Sequence, residues 1–455
     1  MRLLSILVLI LLPLRAMAVD IQVLTSPKGQ DYWLVTDHSL PFVALQLDFR
    51  GGASLDAPGK RGAINLMTAL LEEGAGDRDA EAFVAAVEAE GARMSFSAGD
   101  DVLSVSAQML TDRRAASTAL LAEALSEPRF DEDAVARVRA QVIQSIRAGQ
   151  KDPNTLASLA FARQAWGDHP YGTSTMGTED SVTALTRDDL RAAKDRVIAR
   201  DHAIVTLVGD IDAQDAGAMI DSLLAGLPAT GAPMPPRVAM ASGDDLTVID
   251  WDSPQSVVTF GQPGMALDDP DYFPLMIAQQ VLSGSGFSAR LMDELRDKRG
   301  LTYGVAAHLV SRPFGDSWVG GFASANDKTA EAVALLRSEW ARMAEGGVTE
   351  DELSAAKTYL TGAYPLRFDG NGTIAGLLSG MQLVGLPADY IDRRNDLVNA
   401  VTAADVARVA SERVRPGDLR IVIAGRPSGL QASPADATCP AQASGAVPLP
   451  PCAAE

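Results

Sequence analysis

One pattern of secondary-structure elements occurs twice along this chain. Residues 42–49 (FVALQLDF) place Val43, Leu45, Leu47 and Phe49 on one face, the alternation of a half-buried strand. Residues 103–109 alternate in the same way through Leu103, Val105, Ala107 and Met109. Helical stretches are predicted at 62–73 and 80–90. A further one is predicted at 134–147, where Val135, Val138, Val142, Ile143 and Ile146 share a face. A strand at 203–208 (AIVTLV) ends at Gly209. The second half runs in the same order. A strand at 256–261 (SVVTFG) leads to helices at 272–283 and 288–299, a strand from 302, more helical stretches, and the strand 420–425 (RIVIAG). Thr186, Asp189, Leu190 and Gly209 recur 216 residues later as Thr402, Asp405, Val406 and Gly425. Two copies of one α+β unit follow from this order, each a mostly antiparallel sheet covered by helices. The boundaries are drawn at 19–230 and 247–428. They are joined by the Pro- and Gly-rich linker 231–246 and followed by an aperiodic tail, 429–455.

The first 18 residues, MRLLSILVLILLPLRAMA, have a basic start, an apolar run of about a dozen residues and a small-x-small end at Ala16–Ala18. The run is too short for a spanning helix, which needs about 20 residues. Cleavage after Ala18 and export to the periplasm or medium are expected. Cleavage removes Arg2 and Arg15, leaving 437 residues and moving the net charge from −20 to −22. No other stretch is apolar enough to span a bilayer, so no membrane span is expected after cleavage. A chain this acidic is a poor candidate for a nucleic-acid binder, which needs a basic face. The only cysteines, Cys439 and Cys452, lie in the tail, where an oxidising compartment permits a disulfide. Two free thiols are the alternative.

Counting residues excludes several chemistries. A zinc peptidase helix needs two imidazoles four residues apart and a nearby carboxylate. The four histidines are His38, His169, His202 and His308, and the nearest two are 33 residues apart. His169, in the loop GDHPYG, is expected to be a hydrogen-bonded loop residue. Glu72 and Glu73 end a predicted helix and are expected to be solvated. No nucleophile elbow, P-loop or dinucleotide glycine pattern is present. Gly284–Ser288 lacks the elbow spacing and reads as a turn before a helix, with Ser288 a candidate N-cap.

The stretch 286–305 (GFSARLMDELRDKRGLTYGV) is the most informative. Its helix turns Leu291, Met292 and Leu295 inward and is closed by Arg299–Gly300. Arg296 lies in the last turn, seven residues before Tyr303 at the start of a strand. A helix-to-strand turn can bring this guanidinium and phenol together as donors to a carbonyl or an oxyanion. The competing arrangement pairs Arg296 with Asp293 or Asp297 and packs Tyr303 in the sheet.

Residues 283–305 resemble the C-terminal half of the pitrilysin/insulinase metallopeptidases, a family that includes the mitochondrial processing peptidases. Residues 39–74 resemble the family's opening, whose helix normally bears the inverted zinc motif H-x-x-E-H. GDHPYG and TLVGDID (206–212) fit later landmarks. The resemblance spans roughly residues 20–430 and implies two homologous domains forming half of a clam-like chamber. Aligned on Gly62 and Gly74, it puts the zinc histidines at Asn65 and Ala69, the catalytic glutamate at Thr68 and the third ligand near Gln144. None of these can do the work of the residue it replaces. Arg296 and Tyr303 are kept.

The resemblance therefore implies a non-catalytic subunit with no zinc and no catalytic residues of its own. Its homologous partner bears the zinc, and this chain supplies Arg296 and Tyr303 to a peptide or unfolded-segment substrate. A strand at 93–98 is the family's place for pairing with that peptide. The alternatives are a peptide-binding or scaffold pseudoenzyme with no part in catalysis, and an enzyme with an unrecognised site.

Overall fold

The computed structural model describes residues 20–284 and 288–433. The leader 1–18, residues Ser285–Phe287 and the pair Cys439 and Cys452 lie outside the described residues.

The first half contributes β1 (Gln22–Thr25), β2 (Asp31–Thr36), β3 (Phe42–Arg50), a ribbon of β4 (Gly74–Ala75) and β5 (Arg78–Asp79), then β6 (Arg93–Ala98), β7 (Val102–Leu110) and β8 (Ala203–Gly209). The second half contributes β9 (Leu246–Asp250), β10 (Gln255–Pro263), β11 (Thr302–Val310), β12 (Ser317–Ala325) and β13 (Arg420–Gly425). The first sheet is ordered β1-β2-β8-β3-β7-β6 and the second β9-β13-β10-β12-β11. Without β1, the two orders correspond strand for strand. β2 lies parallel to β8 and β9 parallel to β13, while every other pair within these two sheets is antiparallel.

The repeated residues occupy matching places. Thr186 caps the helix Arg187–Val197 and Thr402 the helix Ala403–Arg413, each in a reciprocal capping box with the aspartate three residues on. Gly209 and Gly425 end the equivalent strands β8 and β13 with positive φ. A Cβ at Gly209 would lie 2.3 Å from the Phe42 carbonyl oxygen, and one at Gly425 would lie 2.3 Å from Ser256 Oγ. Close backbone approach at the same corner thus requires glycine in both copies.

The two halves exchange a helix. Pro153–Trp166, from the first half, packs on β10 and β13 of the second sheet. Asn371–Leu383, its counterpart, packs on β3 and β8 of the first. Ala157, Phe161 and Trp166 form one small core with Val422 and Ala424. Ala375, Leu378 and Met381 form another with Trp33, Val35 and Val208.

This exchange corrects the reading of residues 42–49 as a half-buried strand. β3 is buried on both faces. Val43, Leu45, Leu47 and Phe49 join the first core. Gln46 and Asp48 face the exchanged helix, where Ser379 Oγ donates to Asp48 Oδ2 at 2.6 Å and Gln46 Nε2 donates to Asp48 Oδ1 at 2.6 Å. Arg50 donates to the Gln382 and Leu383 carbonyls at the end of the same helix. A polar strand face is therefore buried because the covering helix brings polar partners to it.

Two helix expectations also change. The helix predicted at 62–73 stops at Thr68, because the amides of Leu70 and Leu71 bond three residues back, to Met67 and Thr68, in tighter turns. The helix predicted at 288–299 is a π-helical turn over Met292–Asp297. The tail also begins in contact: Ser433 pairs with Val248 on β9, and Leu430 packs on the second core.

Candidate functional site

Of the positions that the resemblance aligns with a metal site, Asn65 and Thr68 lie on the helix Ala63–Thr68, Ala69 at its C-cap and Gln144 on the helix Glu132–Gly149. Thr68 is buried, and its hydroxyl donates to the Ile64 carbonyl at 2.7 Å, so it serves its own helix. Asn65 is half-buried, while Ala69 and Gln144 are exposed. A carboxamide, a hydroxyl already bonded to the backbone, a methyl group and a second carboxamide are not a zinc donor set. Among the described residues, no three His, Cys, Asp or Glu side chains gather where they could hold a metal. The residues present do not fit zinc, and no step through a metal on this chain follows. Glu73, which follows the shortened helix, is tied to Arg137 on the longer one. Glu72 is exposed, and partial burial of its carboxyl together with the Glu73 charge raises its pKa.

The histidines are dispersed. His38 pairs with Asp210 at 2.6 Å, and His202 is buried against the Val197 carbonyl. His308 lies exposed on β11. His169 accepts from the Tyr171 amide at 3.2 Å and caps the turn Pro170–Gly172. It is a structural loop residue, as its sequence setting implied.

Arg296 and Tyr303 are brought together. The Arg296 guanidinium carbon lies 5.4 Å from the centroid of the Tyr303 ring, a cation–π arrangement. The turn between them is closed by Gly300 at φ +57, with the Gly300 amide bonded to the Arg296 carbonyl and the Leu301 amide to the Leu295 carbonyl. Lys298 pairs with Asp293 at 2.6 Å, and Lys298 and Arg299 both pair with Glu294. Tyr303 is 90 % exposed, so it is not packed in the sheet. It stands at the start of β11, an edge strand of the second sheet; β6, at 93–98, is an edge strand of the first.

Sequence reasoning missed a partly buried polar junction between the halves. Arg312, in the loop between β11 and β12, lies 3.5 Å from the centroid of the Tyr171 ring and 5.5 Å from that of Trp166. It also pairs with Asp100 at 3.5 Å. The Tyr171 hydroxyl donates to Asp101 and accepts from the Phe314 amide at 3.2 Å. Arg61 closes the junction on Asp100, Thr173 and the Pro170 carbonyl. Burial raises the pKa of Asp101, and the Tyr171 hydroxyl and Arg312 charge offset part of the rise. Burial, then the neighbouring Asp101, pushes the Tyr171 phenol far above its ordinary range. The only local signal was the landmark GDHPYG; its partners are 70 or more residues away and leave no periodicity.

Comparison with known proteins gives the family. Residues 33–179 match the model described as insulinase (peptidase family M16), and residues 184–360 match the model described as the peptidase M16 inactive domain. A Helicobacter pylori protein named non-peptidase homolog YmxG is 27 % identical over 362 residues, covering 78 % of this chain and 82 % of that protein. A probable mitochondrial-processing peptidase subunit beta from Schizosaccharomyces pombe is 23 % identical, covering 83 % of this chain and 85 % of that protein. A solved structure from Pseudomonas fluorescens, described as a peptidase M16 inactive domain, superposes with a TM-score of 0.84 at 28 % identity, covering 91 % of this chain and 100 % of that one. The duplicated sheets and these matches agree: the chain belongs to peptidase family M16, the insulinase family.

Proposed function

We propose that this chain is the non-catalytic subunit of an exported heterodimeric zinc peptidase and supplies Arg296 and Tyr303 to substrate held at a homologous partner's zinc. The observation that carries the reading is the contrast between two places in the chain. The metal-aligned positions hold Asn65, Thr68, Ala69 and Gln144, and Thr68 is committed to its own helix. Arg296 and Tyr303 stand together, with the phenol almost fully exposed. The match to a domain described as inactive and the relative named a non-peptidase homolog support the first part. The subunit-beta relative supports an assembly of homologous chains.

In such a complex, Arg296 and Tyr303 donate hydrogen bonds to the carbonyl oxygen of the scissile amide. As negative charge grows on that oxygen the donors bind it more tightly, which is the condition for accelerating the reaction and not merely for binding. The cation–π contact holds the guanidinium and phenol as a preformed pair, reducing the ordering cost when substrate arrives. Peptides or unfolded segments are the substrate class. β6 offers a sheet edge to which an extended chain can add. The leader at 1–18 supports delivery to the periplasm or medium.

The test is to tag the mature chain, recover it from its own cell envelope and identify what co-purifies by mass spectrometry. A stoichiometric homologue bearing H-x-x-E-H supports the proposal. Recovery of the chain alone, with no such homologue, turns the assignment to a peptide-binding scaffold.

A further inference from the structure

The exposure of Tyr303 is not what the register of its strand dictates. Across β11 and β12, Thr302 stands opposite Ser324, but Val305 stands opposite Phe322. Two residues, Tyr303 and Gly304, therefore face the single residue Ala323, which is a β-bulge. Val305 and Ala307 are buried on the core side of β11. Counting back by twos from Val305 in a regular strand would put Tyr303 on that same buried side and Thr302 outside. The bulge reverses the parity. Thr302 is 9 % exposed, and Tyr303 is turned out to solvent.

The bonds that hold the bulge centre on Thr302. Its hydroxyl lies 2.7 Å from the Ala323 carbonyl oxygen and 2.9 Å from that of Gly304, and it accepts from the Gly304 amide at 3.2 Å. One side chain thus bridges the bulged strand to its neighbour and engages the extra residue. The Val305 amide bonds to Met292 Sδ at 3.4 Å, and Ser324 Oγ donates to the Leu301 carbonyl at 2.6 Å. Met292 opens the π-helical turn that carries Arg296. The irregular turn under Arg296 and the irregular strand under Tyr303 are therefore fastened to each other.

We infer that Thr302 is a positioning residue for this pair: its hydroxyl fixes the bulge that keeps Tyr303 on the open face, beside Arg296. The inference rests on the proposed role of Arg296 and Tyr303 for its functional consequence, but not for its structural one. Valine is close to threonine in shape and loses the bridge. Serine keeps the bridge and loses the methyl group.

The test uses Thr302→Val and Thr302→Ser in the full mature chain. Nitration of Tyr303 by tetranitromethane is followed by peptide mass spectrometry, with circular dichroism confirming the fold. In Thr302→Val the phenol should nitrate at least about fivefold more slowly, because a regular register moves it toward packed surroundings. Thr302→Ser should nitrate at the wild-type rate. Met292→Leu, which removes only the sulfur acceptor, should shift the rate in the same direction by less and serves if the valine variant does not fold. Unchanged nitration in a folded Thr302→Val chain, or in Met292→Leu should the valine variant fail to fold, overturns the inference. In the complex with the zinc-bearing homologue, Thr302→Val should lower kcat about tenfold or more with little change in KM, and serine should restore it. Slowed nitration with unchanged peptide hydrolysis would leave Thr302 as the residue that positions Tyr303 and remove Arg296 and Tyr303 from the reaction.

Discussion

Leu378→Ala places its perturbation in the second half of the sequence and its consequence in the first. Leu378 is fully buried on the exchanged helix, in the cluster with Trp33, Val35 and Val208. Removing three carbon groups at about 0.8 kcal/mol each costs about 2.4 kcal/mol of transfer free energy. A cavity that collapses only partly adds roughly another 0.5–1, for a total of about 3 kcal/mol. The assay is native-state hydrogen exchange on the mature chain. Amides of β3 and β8, which the helix covers, should lose protection by about two orders of magnitude where they exchange through opening of this helix or of the whole fold. A variant whose β3 and β8 amides keep wild-type protection, with the loss confined to residues 371–383 and the second sheet, would refute the exchange as a stabilising contact.

Other predictions follow from particular contacts. Ser379→Ala leaves the buried Asp48 with one fewer donor and should cost about 1.5–3 kcal/mol, read as a lower urea midpoint; no change would mean that the bond contributes nothing. Arg312→Ala removes the contacts to Tyr171 and Trp166 and the pair with Asp100, and should destabilise by about 1–3 kcal/mol in the same assay. Glu352 is pushed up by burial, but its bonds to Arg290 and Thr349 outweigh this and hold it at about 2. Since that lies below its ordinary value, the stabilisation is present above about pH 4.5 and is lost as pH falls toward 2; discounted for solvent screening, about 1–2 kcal/mol should disappear over that window, and Glu352→Gln should flatten it. The purified chain alone should carry substoichiometric zinc by elemental analysis and hydrolyse no unfolded peptide. Chelator-resistant hydrolysis by the pure chain would point to a different active site.

The duplication was legible because capping boxes and strand-ending glycines obey local rules. Thr186 and Thr402 need an aspartate three residues on, and Gly209 and Gly425 have no room for a Cβ. The reading of the candidate site came through resemblance alone, in which Asn65, Ala69 and Thr68 stand where the family has histidines and a glutamate. The helix exchange was hidden. Alternation in β3 marks two faces but does not say what covers the polar one, and Gln46 and Asp48 look solvent-facing until Ser379 arrives from more than 300 residues away. The helix at 63–68 stops short because the Leu70 and Leu71 amides bond three residues back, and the turn at 292–297 departs from a 3.6-residue period because the Lys298 amide reaches back five residues to the Asp293 carbonyl. The Arg312 junction joins loops with no period at all.

The proposed contribution of this chain is a pair of donors to a reaction whose metal is elsewhere. Its most direct test is peptide hydrolysis by the complex of the mature chain with its zinc-bearing homologue, comparing wild type with Arg296→Ala after verifying that the complex stays intact and zinc-loaded. The expected result is a fall in kcat/KM of about 10²–10³, as for loss of one oxyanion donor. An intact, zinc-loaded complex with wild-type kcat/KM would contradict it.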